Sequence, residues 1–169
     1  FGSGPGQFRE GVSIRGDSFN QIYLVDTAQE AVLKFNEKLQ FLGKFGSFNI
    51  DESDSFENDF ANIEEGQFDG INDLIAGPRL TTFISDSRNQ RIVEVDSSGN
   101  FVREFKPRDG FDEPTKLQAN RRNEILVLDS EKERIVVFNN FGSQVFSIGG
   151  YGTGDHRFVK LVDFLVDFE

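Results

Sequence analysis

Apolar and polar positions alternate along most of the chain in short runs closed by Gly, Asn, Asp or Ser. Alternation with a period of two is the pattern of β-strands, and clusters of turn residues mark where they end. The clearest stretch holds four such runs, "INDLIAG", "LTTFISD", "QRIVEV" and "NFVREF". The last two are joined by "DSSGN", residues 96–100, a Gly-containing hairpin connection. Arg91, Val93 and Val95 alternate with Ile92, Glu94 and Asp96, so both faces of that strand have mixed character, as stacking between two neighbouring sheets requires.

The four-run unit occurs three times, beginning at Gly6, Gly66 and Asp109. Phe8, Phe68 and Phe111 fall in register, and so do Asp26, Asp86 and Asp129, each followed by Thr27, Ser87 or Ser130. Both series are spaced 60 and then 43 residues apart. A repeat of about 40 to 45 residues with four short strands is the signature of β-propeller blades, and the three-and-four spacing of helical repeats is absent. The expected fold is all-β, with blade 1 over about 6–46, blade 2 over about 66–106 and blade 3 over about 109–150. Setting Phe158 in the place of Phe111 puts "VDFLVDF", residues 162–168, on the first strand of a fourth blade spanning about 158–169.

The stretches "YLVDTAQEAVLKF", "FISDSRNQRIVEV" and "LVLDSEKERIVVF", with the connectors "FGSGPGQF" and "IGGYGTGDHRF", resemble NHL repeats. That likeness covers nearly the whole chain and departs at Ala31, which stands where Arg91 and Arg134 stand in the other copies. NHL domains are typically six-bladed rings, so the resemblance implies that three blades and a strand are about half of one. A half ring would expose open strand edges and apolar blade faces. The expectation is that missing blades or a second copy complete it.

Composition narrows the chemistry. Twenty Phe against two Tyr and no Trp fill the core with rings that need no hydrogen bond. Cys is absent, which excludes disulfides and thiolate chemistry. His156 is the single histidine and stands where Gln7 and Gln67 stand in other copies, so it reads as a connector residue. "FGSGPGQF" is followed by neither Lys-Ser/Thr nor a helical pattern and reads as a blade connector rather than a phosphate loop. No apolar run approaches the roughly 18 residues of a membrane helix. With 29 Asp and Glu against 18 Lys and Arg, a polyphosphate backbone is repelled on average, so no nucleic acid is expected.

A residue type that recurs in every blade is most simply explained by what every blade needs. Asp26, Asp86 and Asp129 are therefore expected to accept hydrogen bonds from turn N–H groups, the alternative being a ring of carboxylates for a cation. Arg91 and Arg134 are expected to pair with acceptors between blades or to lie over aromatic rings.

What breaks the repeat is a 17-residue excess between blades 1 and 2, placed at 47–65. It contains Asp51, Glu52, Asp54, Glu57, Asp59, Glu64 and Glu65 without Lys or Arg, and these seven acids leave −4 of the net charge of −11 to the rest of the chain. A solvated mobile loop is one reading. Another is a docking loop in which Phe48, Phe56 and Phe60 anchor to an apolar groove while Asp51, Glu52, Asp54, Glu57 and Asp59 steer toward a basic protein partner. Calcium binding is a third, and the acids do not follow the Asp-x-Asp-x-Asp order that it favours.

The function these features suggest is a non-enzymatic module for protein–protein interaction or assembly, extracytoplasmic, without catalytic residues, metal or cofactor. The alternatives are part of a lyase- or lactonase-type propeller enzyme whose metal site lies in other blades, and a structural spacer in a large assembly.

Overall fold

The computed structural model describes residues 2, 4–46 and 68–167. Twelve strands form among them, in three antiparallel sheets of four. Blade 1 comprises β1 (Gly11–Gly16), β2 (Ile22–Asp26), β3 (Ala31–Phe35) and β4 (Phe41–Phe45). Blade 2 comprises β5 (Ile71–Ala76), β6 (Thr82–Asp86), β7 (Arg91–Val95) and β8 (Phe101–Phe105), and blade 3 comprises β9 (Pro114–Ala119), β10 (Ile125–Asp129), β11 (Arg134–Phe138) and β12 (Gln144–Gly149). Strands pair strictly in chain order, and β5 lies against both β1 and β9. Three sheets stacked along their first strands are blades of a β-propeller.

Period-two alternation decides which side chains meet across each joint. Between blades 1 and 2, Val25, Val32, Leu74, Ile84 and Val93 are all fully buried. Between blades 2 and 3 the opposite faces contribute Phe83, Ile92, Val127, Val136 and Phe138. Rings dominate this second layer. Phe83 and Phe105 meet edge to face with centroids 5.9 Å apart, and Phe105 stands 5.0 Å from Phe138. Burying each of these rings contributes about 2 to 3 kcal/mol.

The hairpin between the third and fourth strands is built identically in all blades by a side-chain acceptor. Asn36, Asp96 and Asn139 each take two backbone N–H groups, at Lys38 and Gln40, Ser98 and Asn100, and Phe141 and Ser143. These acceptors substitute for ladder bonds that the turn cannot make. The turns between first and second strands use the same device at Asp17 and Asn120, with Asn20 and Asn123 in the left-handed region. Blade 2 departs: residues 77–81 form a 3-10 turn in which Arg79 (φ 59°) and Leu80 (φ 63°) are both left-handed. Each such residue costs of order 1 kcal/mol or more.

The strand expected over 162–168 is not formed among its described residues. Phe158 makes a parallel bridge to Tyr151, and beyond it no neighbouring strand offers N–H and C=O groups in register.

Candidate functional site

The three repeated aspartates are completely buried. Asp26 accepts from Arg9 N (2.7 Å), Glu10 N (3.1 Å) and Ala28 N (3.1 Å), and from the Gln29 amide at 2.5 Å. Asp129 accepts from Asp112 N and Glu113 N, and Asp86 from Asp69 N at 2.8 Å. Each carboxylate thus ties the end of the second strand to the segment that enters its own blade. The turn that follows takes part as well: Ala28 N donates to Asp26, and the Asn89 amide donates to both oxygens of Asp86. Burial pushes the Asp26 carboxyl up, but its hydrogen bonds outweigh that and hold it below the usual carboxylate range.

Among the described residues, Arg91 and Arg134 pair with carboxylates of their own blade and, for Arg134, of the connector that enters it. Arg91 Nε donates to Asp86 at 2.8 Å and its Nη1 to Glu104 of β8 at 2.7 Å. Arg134 donates to Asp129 at 3.2 Å, and to Asp109 and the Gly110 carbonyl of the incoming connector. Each arginine neutralises the buried aspartate five residues before it on the adjacent strand, which the antiparallel register of Asp86 on Arg91 and Asp129 on Arg134 brings opposite. In blade 1, where Ala31 provides no cation, the Gln29 amide donates to Asp26, as the Asn89 amide does to Asp86 beside Arg91.

Two features invisible in the repeat alignment join the blades. The first is a glutamate at the end of the turn between second and third strands. Glu30 reaches across to accept from Ile71 N at 3.0 Å, and Glu133 accepts in the same way from Leu161 N. Ile71 and Leu161 each follow the repeat phenylalanine by three residues. The corresponding position in blade 3 is Pro114, which has no N–H, and the residue that would face it is Gln90 instead of a glutamate. A carboxylate stands here where there is a donor to satisfy it. Burial pushes the Glu30 carboxyl above its usual range.

The second is Asp73, also fully buried. It accepts from Ser13 Oγ at 2.5 Å and Arg15 Nη2 at 2.8 Å in blade 1, and from Leu117 N at 3.1 Å in blade 3. One carboxylate therefore spans three blades. Its register mates are Ser13 and Lys116, so nothing in the sequence repeats there to mark it.

At the ends of the strands where these clasps lie, two adjoining grooves open. One, of about 430 Å3, is lined by Thr115, Lys116, Glu131, Lys160 and Val162. The other, of about 410 Å3, is lined by Glu10, Thr27, Gly70 and Arg88, and the two share Val12, Asn72 and Glu113. The acidic stretch is inserted at this face. Its bases converge, because a Cβ added at Gly46 would meet Phe68 at 2.6 Å. Phe48, Asp51, Glu52, Asp54, Phe56, Glu57, Asp59 and Phe60 themselves lie outside the described residues. His156 is exposed, and no group of three or more His, Asp or Glu that could hold a metal ion occurs among the described residues.

No protein-family model matches the chain, and no curated protein does. Solved structures do. A streptogramin B lyase superposes with a TM-score of 0.59 at 11% identity over 86% of this chain and 42% of its own. The hydrazine synthase of Kuenenia stuttgartiensis gives 0.62 at 12% identity, over 90% and 38%. A protein of Bacteroides fragilis described as exported gives 0.62 at 13% identity, over 93% and 44%. The chain spans about two fifths of the length of these proteins. At such identities the likeness establishes the fold, and the protein is an all-β chain of β-propeller blades.

Proposed function

We propose that this chain is part of an NHL-type propeller that serves as a protein-binding or assembly module outside the cytoplasm. The observation that carries this reading is the acidic stretch of 47–65, which inserts seven carboxylates and three phenylalanines into the sequence between blades 1 and 2. Its ends are pinched together between Gly46 and Phe68, beside the grooves at the mouth of the inner strands. Charges concentrated on one inserted segment steer association with a basic surface, and phenylalanine supplies the apolar anchor. The repeated aspartates are engaged in holding each blade to its entering segment and the clasp glutamates in joining blade 1 to blade 2 and blade 3 to the segment after it, which supports a structural role for them. The export description of the Bacteroides fragilis neighbour supports the location. The NHL assignment rests on the repeat motifs.

Deleting residues 50–62 is expected to leave the fold intact, with unchanged circular dichroism, and to abolish capture of a basic partner. Unchanged capture would end the docking role.

A second reading is favoured by the streptogramin B lyase likeness: a propeller enzyme whose metal site lies in further blades. It requires that the full-length protein retain stoichiometric metal after dialysis. An active protein that holds no metal would remove it.

A further inference from the structure

On the opposite face, where first strands turn into second strands, blade 2 replaces the side-chain-capped turn of its neighbours with the doubly left-handed turn at Arg79 and Leu80. Neither residue is a glycine, and both are exposed. The turn is shaped deliberately: a Cβ on Gly77 would come within 2.6 Å of the Phe83 ring, so the chain passes over that ring and lifts Arg79 and Leu80 outward. Backbone strain of this kind concentrates where a protein presents groups to a ligand.

The turn forms one wall of a groove of about 480 Å3 whose other walls include Phe19 and Asn123. Arg121 and Arg122 precede Asn123 in its turn and are exposed. Five of the eleven arginines are in ion pairs among the described residues, and Arg79, Arg121 and Arg122 are not among them. Asp17, which also lines the groove, is occupied by Phe19 N, Gln21 N and the Tyr23 hydroxyl. In a chain of net charge −11, Arg79 therefore lines a groove beside two exposed apolar side chains, Phe19 and Leu80, while Arg121 and Arg122 are exposed in the turn that leads to its wall at Asn123, and none of the three has a carboxylate partner among the described residues.

We infer that this groove is a docking site for an acidic segment carrying aromatic side chains, and that its occupant is the stretch 47–66 of a second copy of the chain. The match is chemical. That stretch interleaves Phe48, Phe56 and Phe60 with seven acids and no cation. Guanidinium groups take carboxylates in paired hydrogen bonds, and the phenylalanines find Phe19 and Leu80. Gly46 and Phe68, which flank the stretch, lie at the far ends of the strands, a six-residue β5 or roughly 20 Å away, so copies would join head to tail. The inference rests on the docking reading of the acidic stretch and supplies the basic surface that reading calls for.

Sedimentation velocity of the full 169-residue chain tests it. Mass is expected to grow with concentration past that of a dimer and to fall back in 0.5 M salt, where the Debye length is about threefold shorter than at 0.05 M. The variant Arg79→Ser/Arg121→Ser/Arg122→Ser, altered at exposed positions, is expected to associate at least about tenfold more weakly. Excess synthetic peptide of sequence 47–66 is expected to dissolve the assembly. A chain that stays monomeric, a triple variant that associates as strongly, or association that strengthens with salt as contact through the apolar blade faces would, overturns the proposal. If the triple variant keeps self-association while deletion of 50–62 still abolishes capture of a separate basic partner, this inference fails and the docking role stands.

Discussion

Blade 2 and blade 3 carry nearly the same strand pattern, yet they differ in what covers them. Every residue of β6 and β7 is buried, polar ones included, whereas Arg134 and Ile135 of β11 are half-buried, and Phe105 of β8 is 8% exposed while its counterpart Ile148 of β12, paired to Ile135 as Phe105 is to Ile92, is 43% exposed. Blade 2 is flanked on both faces and blade 3 on one. The same alternation of side chains is therefore a core in one place and a surface in the other, and burial is a property of the joint, not of the blade.

That contrast can be broken most forcefully in the ring layer. Phe83→Ala is expected to destabilise by about 3 to 5 kcal/mol, while Phe146→Ala changes stability by less than about 0.5 kcal/mol. Urea unfolding followed by circular dichroism measures both. Equal losses would mean that β12 is covered in solution. Asp73→Ala is expected to cost about 3 kcal/mol, because Arg15, Ser13 and Leu117 N all lose their common acceptor. Asp73→Asn, which keeps an acceptor of the same shape, is expected to cost less.

The arginine clamps should rank by their burial. Arg91→Ala, which strands the buried Asp86, is expected to cost about 2 kcal/mol. Arg134→Ala should cost less, since much of its bonding is to the exposed Asp109. The clasp series offers a double test. Gln90→Glu alone is expected to lose about 1 kcal/mol for a desolvated carboxylate facing Pro114, and Pro114→Ala in the same chain to restore at least half of it by providing an N–H. Additive losses would show that the clasp does not couple to the donor.

The smallest effects concern pH. Asp26 is held below its usual value of 3.8, so its stabilisation is complete above that value and is lost as pH falls through the lower value of the folded protein. Glu30 has the opposite sign: its value is raised, so its ionisation weakens the fold as pH rises through the window above the usual 4.5. Asp26→Asn should flatten the acid limb of the stability curve, and Glu30→Gln should raise stability slightly at neutral pH.

The strands, their order and the buried aspartates were legible in the sequence because each is repeated three times at fixed spacing. The direction of the arginine contacts was not, since a guanidinium five residues from an aspartate meets it only when the intervening turn is a tight hairpin. Asp73 was hidden because its partners come from the two neighbouring blades, and each blade has a different residue in that register. Glu30 and Glu133 were hidden for a more instructive reason. Gln90 breaks their series, and the explanation, Pro114, lies 24 residues further along.

The clasp at Glu30 also bears on how such a chain can change. Ile71 N and the Glu30 carboxylate hold blade 2 on blade 1 through residues on either side of the chain that joins Gly46 to Phe68. Doubling the length of the intervening chain costs only about 0.6 kcal/mol in closure entropy. The joint therefore acts as a cloning site within the ring: foreign sequence can enter there, or new termini can be cut, while the register of the blades is kept by a side chain.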